Sequence, residues 1–332
     1  MNTKRIVSLV ATLSLVLSLS LGLSGCGDKA AQDNSQGSGD AKYVVGICQL
    51  VQHDALDAAT QGFIDALNEA LPGQVEIVNK NASGDSANCS TIVNGFVSDG
   101  VDLIMANATP ALTAAAAATS DIPILGTSIT AYGVALDIDD FNGTVGGNIS
   151  GTSDLADLEA QANMITEWFP EAKKVALLFC SGEPNSRYQI EEVAKCLSDK
   201  GIETKEFAFT DTNDVASVTQ SAADYADVVY VPTDNTAASN TEAIANVLVP
   251  AGVPAICGEE GICKGCGVAT LSISYYDLGV TTGKMAAKIL TGESKVEEMP
   301  IEYAPEFTKE YNPTIAEALG ITIPDDYVAY EG

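Results

Sequence analysis

Short β-rich runs alternate with helical periods along this chain, and the whole alternation occurs twice. The first series has strand-like runs at 44–48, 75–78, 101–105 and 122–125. Between them Leu56, Ala59, Phe63, Ala66, Leu67 and Ala70 recur at helical spacing until Pro72-Gly73, and two further helices are predicted near 89–97 and 110–119. From Lys174 the order repeats, with strands at 175–179, 202–207, 228–231 and 253–257. Such alternation builds parallel sheets with helices on both faces, so the predicted fold class is α/β with two Rossmann-like lobes. The halves also match in phrase: Asp102-Leu-Ile-Met-Ala-Asn-Ala-Thr109 lies over Asp227-Val-Val-Tyr-Val-Pro-Thr-Asp234.

A helical period over 154–169 reads as the first helix of lobe two, and the glycine-rich 146–152 before it as a hinge crossing. Lobe one is therefore expected at 43–150 with about 275–300, a helix over 276–290 included, and lobe two at 151–274 with about 301–332, its tail largely irregular. The start of the chain has a different purpose. Lys4 and Arg5 precede an apolar run from Ile6 to Leu23 that ends in Leu-Ser-Gly-Cys26, a secretory signal whose last four residues resemble a lipobox. Residues 1–26 are thus expected to be a signal with lipidation at Cys26, followed by a flexible tether at 27–42 rich in Gly, Ser, Asp and Gln. Localisation is expected to be outside the cell, anchored in the membrane by lipid.

The net charge of −29 argues against nucleic acid as a partner, which demands a basic surface. Enzyme signatures are missing: the sequence holds no Gly-x-Ser-x-Gly, no His-Glu-x-x-His and no phosphate-binding glycine loop, and His53 is its one histidine. No catalytic residue, cofactor or metal is expected. Cys263-Lys-Gly-Cys266 has the spacing of a redox pair or zinc half-site, but it stands in a glycine-rich stretch with no second pair, so a local disulfide or buried thiols is the simpler reading.

Ligands of open parallel sheets bind at the carboxyl ends of the strands. Those ends deliver Gln49, His53, Thr109 and Thr127 from lobe one, and Asn185, Ser186, Asp234, Asn235 and Glu259 from lobe two. Thr109-Pro110 reads as an N-cap with proline at the first helical position, offering free N–H groups to a carboxylate. Asp234 or Glu259 could take an ammonium group. Tyr132, Tyr188, Tyr275 and Tyr276 fall in or beside these loops, with core packing preferred for Tyr276. A small amphoteric solute, bridged between Thr109 and Thr127 on one side and Asn185 and Asp234 on the other, is the expected cargo.

Five ordered phrases then carry a resemblance: Gly46-Ile-Cys-Gln-Leu-Val-Gln-His53, Gly182-Glu-Pro-Asn-Ser186, Val231-Pro-Thr-Asp-Asn-Thr236, Gly258-Glu-Glu-Gly261 and Tyr275-Tyr-Asp-Leu-Gly279. The chain resembles the ABC-transporter substrate-binding lipoproteins of the tryptophan/tyrosine-transport type. The likeness implies a type I periplasmic-binding-protein clamshell, a monomer served by permease and ATPase partners, and an aromatic amino acid as leading ligand. It departs at Cys180-Ser181 and at Ser274, where that family often has Asn-Pro and an acidic residue. A ligand sensor for a receptor and an exported thiol oxidoreductase using Cys263 and Cys266 are the alternatives.

Overall fold

The computed structural model describes residues 42–330. The expected signal segment, Cys26 and the tether as far as residue 41 lie outside the described residues.

Lobe one opens with β1 (Tyr43–Gln49), α1 (Asp54–Ala70), β2 (Val75–Asn81), α2 (Ser86–Asp99), β3 (Leu103–Asn107), α3 (Thr109–Ala118), β4 (Ile124–Ile129), α4 (Tyr132–Ala135) and β5 (Ile149–Ser153). The chain crosses into lobe two for α5 (Leu158–Trp168), β6 (Lys174–Cys180), α6 (Pro184–Asp199), β7 (Glu203–Phe209), α7 (Val215–Ala223), β8 (Val228–Val231), α8 (Asn235–Ala238), α9 (Thr241–Ala251), β9 (Ala255–Cys257), α10 (Glu260–Cys266) and β10 (Ala269–Ser272). It returns to lobe one for α11 (Tyr275–Thr291) and β11 (Glu302–Tyr303), then crosses again for β12 (Thr308–Tyr311), α12 (Pro313–Leu319) and β13 (Val328–Ala329).

The sheets have matching orders, β11-β5-β4-β3-β1-β2 and β13-β12-β10-β9-β8-β6-β7, parallel except where β12 runs against β10. In both, the first strand of the lobe lies inside the second, so the order reverses beside it and opens a crevice at the strand ends. Each sheet is covered on both faces. Phe63 and Leu67 of α1 with Met285 of α11 fill one side of lobe one, and Val93, Phe96 and Leu112 of α2 and α3 the other. Ile165, Trp168 and Ile190 fill one side of lobe two, and Val215, Ile244 and Ile262 the other.

Several expectations change. The glycine-rich segment before 153 is no hinge: residues 149–153 pair with β4 as a strand of lobe one, and the crossing follows at 154–157. Gly151 sits at φ +142, and a Cβ there would press on Gly126 O and meet the Tyr132 hydroxyl at 2.5 Å. Glycine makes room for the tyrosine at that point. The helix of lobe two begins at Leu158, capped by Asp157 through its bond from Ala160 N, so Asp154 is freed from it. The tail keeps the short helix near Ile315 as α12 and also supplies three short strands, of which β11 extends lobe one past residue 300. Cys263 and Cys266 lie near the end of a helix, not in a loop.

Helices α1 and α11 approach backbone to backbone. A Cβ on Gly62 would strike Tyr276 O, one on Gly279 would strike Ala59 O, and one on Gly283 would come within 2.6 Å of Phe63 O. Closeness of this order leaves no relaxation by a flexible side chain. Gly279→Ala is therefore expected to push the helices apart and lower stability by about 1–3 kcal/mol, read as a lower midpoint in urea unfolding.

Candidate functional site

The carboxyl ends of both sheets face each other across a cleft. At its centre is a gap that leaves about 10 Å³ for water centres, room for about one molecule. Lobe one contributes His53, Leu56, Ser128 and Thr130; lobe two contributes Asn185, Thr233, Asn235 and Glu259; the crossings add Asp154 and Tyr275. His53 ties the lobes directly, its Nε2 lying 3.3 Å from Asn235 Oδ1. Burial lowers the His53 pKa, favouring the neutral ring in the closed cleft.

Three side chains of this wall hold a buried polar atom with no partner in the protein: Asp154 Oδ1, Asn185 Oδ1 and Ser128 Oγ. Native structures rarely leave such atoms unsatisfied. Each is fixed by its surroundings. Asp154 accepts from the Tyr275 hydroxyl (3.0 Å) on its other oxygen. The Asn185 amide nitrogen faces Glu183, Ser186 and the Thr233 carbonyl, so its oxygen must face away from them. Ser128 stands at φ +55, where the β4–β5 register shifts between Gly126 and Ile129; such bulges re-aim a side chain.

The gap is acidic. No lysine or arginine lines it, whereas Asp154, Asp234 and Glu259 do. Burial raises the pKa of Asp154, against the Tyr275 hydrogen bond, and raises Glu259 to about 7, against bonds from the Gly261 and Ile262 N–H groups. A cation beside Asp154 would hold its carboxylate charged and fill the empty position. Helices α1 and α6 start at the gap with no side-chain cap, leaving first-turn N–H groups for an anion. Leu56, Ala238 and the Tyr275 ring give an apolar wall. Paired acceptors for a cation, donors for an anion and an apolar wall are the complement of a zwitterion with an apolar side chain, which needs the lobes to stand farther apart than they do around this one-water gap.

Comparison with known proteins bears on the same point. A family model described as ABC transporter substrate binding protein matches residues 44–331. The chain belongs to this family. It is 32% identical over 310 residues to a tyrosine-binding protein of Clostridioides difficile, covering 90% of this chain and 88% of that protein. A domain from Streptococcus pneumoniae crystallised with L-tryptophan is 32% identical, with a TM-score of 0.81 over 86% of this chain and 97% of that one. The ligand-free, open structure of a Clostridium difficile substrate-binding protein with adhesive properties is 34% identical, with a TM-score of 0.65 over 87% and 100%. At nearly equal identity this chain superposes better on the tryptophan complex, so its lobes stand closer to that arrangement than to the open one.

In this ABC substrate-binding protein, His53, Asn185, Asp234, Asn235 and Glu259 line the gap as the sequence suggested, and Gln49, Thr109, Thr127 and Ser186 do not. Gln49 is held inside lobe one, donating to Val51 O and Asp57 and accepting from Thr60. Thr127 joins a buried hydroxyl chain with Thr152 and Thr282. Thr109 is the first residue of α3 and not its cap, because Ala108 takes the capping position at φ +85. Ser186 is fully buried against Asn185. Tyr276, expected in the core, is 42% exposed and bonds Asp65, whereas Tyr132 is buried on Thr152 O. The sequence reading missed Asp154, Ser128 and Leu56.

Asp234 lines the gap, but its oxygens are occupied by the Cys180 N–H (2.7 Å) and the Ala237 N–H (2.8 Å). Burial and then the charge of Glu183 push its pKa up. Both of its oxygens thus already serve lobe two, unlike those of Asp154, one of which has no protein partner. Asp234→Ala strands a buried N–H and removes the α8 cap, so a loss of about 1–3 kcal/mol is expected in denaturant titration without any solute present.

Proposed function

We propose that this protein is the lipid-anchored, extracellular solute-binding subunit of an ABC importer and that its cargo is an aromatic amino acid. The observation that carries this reading is the convergence of Asp154 Oδ1, Asn185 Oδ1 and Ser128 Oγ, all buried and unpartnered, on one gap. An α-ammonium group donates to the first two, while an α-carboxylate accepts from the Ser128 hydroxyl and the first-turn N–H groups of α1. The names of the relatives, one for tyrosine and one crystallised with tryptophan, support the aromatic side chain. Anchoring through Cys26 and delivery to permease and ATPase partners rest on the lipobox-like ending and the family.

Capture works by population shift. The solute bonds Asp154 at the crossing, Ser128 on lobe one and Asn185 on lobe two, so it interacts fully only when the lobes are closed. Its differential affinity for that state drives closure, and no chemistry on the solute is required.

Thermal unfolding with a panel of amino acids, sugars and purines tests the cargo: a selective rise with tyrosine, tryptophan or phenylalanine is expected, worth about 2.7 kcal/mol at a hundred times the dissociation constant. A rise with sugars alone would refute it. Asp154→Asn keeps an acceptor for Tyr275 but removes the charge, and calorimetry should show affinity falling by roughly 30-fold or more, about 2 kcal/mol.

The pH dependence follows from the same carboxylate. Its pKa is raised in the solute-free protein, and the ammonium needs the charged form, so protons compete with solute as pH falls. Affinity should decline on acidification from a pH above the ordinary aspartate range, and Asp154→Asn should flatten that part of the profile. An unchanged slope in the variant would remove Asp154 from the anchoring role.

A further inference from the structure

We propose that Cys48 and Cys89 form a disulfide that straps α2 to the carboxyl end of β1 when the chain folds in the presence of a disulfide oxidant. Cys48 is the last but one residue of β1, and Cys89 lies in the first turn of α2. Both side chains are fully buried in one cluster with Leu50, Val93 and Phe96. Gly46, on the same face of β1 as Cys48, lies against the ring of Phe96, two turns along α2 from Cys89, so helix and strand bring the two cysteines to the same part of that cluster.

The other thiols are differently placed. Cys180 faces Thr210 O, and Cys196 is half-exposed with no thiol beside it. Cys257 faces both Cys263 and Cys266, so any bond there has two possible partners and leaves a thiol over. Cys48 and Cys89 have only each other among the described residues.

Exchange starts equally at either thiol; written from Cys89, its thiolate attacks the oxidant, taken here as glutathione disulfide, to give a mixed disulfide and one glutathione thiolate that takes up a proton. The Cys48 thiolate next displaces the second glutathione from Cys89 Sγ. Two protein thiols and one glutathione disulfide become one protein disulfide and two glutathione thiols. Neither sulfur is open to solvent in the fold, so the exchange belongs to folding, before α2 docks on β1. The bond would enclose α1 and β2 in a loop of about 40 residues, and loops of this size raise stability by constraining the unfolded chain.

The test is to refold the full-length reduced chain in glutathione redox buffer, block free thiols and map the peptides by mass spectrometry. A Cys48–Cys89 linked peptide is expected, about two hydrogen masses lighter than its reduced parts, with a thermal midpoint on the order of 5–10 °C above that of the reduced protein. Already folded, reduced protein should acquire the link far more slowly than the refolding chain. Cys48→Ala and Cys89→Ala should each leave the partner blockable and abolish the gain in midpoint. Recovery of both cysteines as blocked thiols, or Cys48 joined to any other residue, would overturn the proposal; the wild-type map decides this even where the variants fail to fold.

Discussion

The carboxylate of Glu183 organises the lobe-two wall of the cleft. It is almost completely buried and accepts from the Asn235 backbone and side-chain amides, the Thr236 backbone N–H and hydroxyl, and the Asn185 side chain. A buried charge is tolerated only when it is so surrounded. The consequence reaches past the acid itself: Asn235 is turned so that its oxygen meets His53 of the opposite lobe, and Asn185 is turned so that its oxygen faces the gap. Both contacts at the gap thus depend on an anion that does not itself line that gap.

Four buried acids stand at or just behind the cleft, and their hydrogen bonds sort them. Glu183 and Asp234 are satisfied by donors of their own lobe, and Glu259 by the first N–H groups of α10. Asp154 is different. Its Oδ2 accepts from the Tyr275 hydroxyl while its Oδ1 has no protein partner within hydrogen-bond distance, and both residues lie where the chain passes between lobes. A group with an unfilled bond at a crossing is placed to be filled by something that arrives only when the lobes close, whereas a capped acid is already complete.

Much of the fold was legible because periodicity and repetition are long-range properties of a sequence. The βα alternation, the matching of Asp102–Thr109 with Asp227–Asp234 and the stop of the first helix before Pro72-Gly73 needed no knowledge of contacts. The strand β5 was hidden because Ile-Ser-Gly-Thr-Ser has no apolar alternation. Its hydroxyls are satisfied inside lobe one, Thr152 by Thr127 and Thr282 and Ser150 by Met299 O. Once that strand was read as a hinge, Asp154 was absorbed into the following helix and lost as a candidate. Ser128 was hidden for another reason: a left-handed serine in a strand bulge follows from the register between β4 and β5, which sequence does not reveal. Asp234 illustrates the opposite error. Its position at a strand end was legible, but one of the two donors that occupy it comes from Cys180, far away in the chain.

Closure without solute carries a penalty. The closed cleft gains the His53–Asn235 bond and brings apolar Leu56 and Ala238 to one gap, yet it leaves three polar atoms without protein partners in a space for about one water. Each such atom costs about 1–3 kcal/mol when it finds no partner, more where it carries charge. In an open cleft the same atoms are hydrated and the penalty vanishes. The unsatisfied wall therefore acts against premature closing, and a zwitterion relieves it only by presenting its cationic and anionic ends in the order in which Asp154, Asn185 and Ser128 are set. On the proposed reading, affinity and closure are in this way one property of the site: the groups offered to the solute are those left unsatisfied when the lobes close without it.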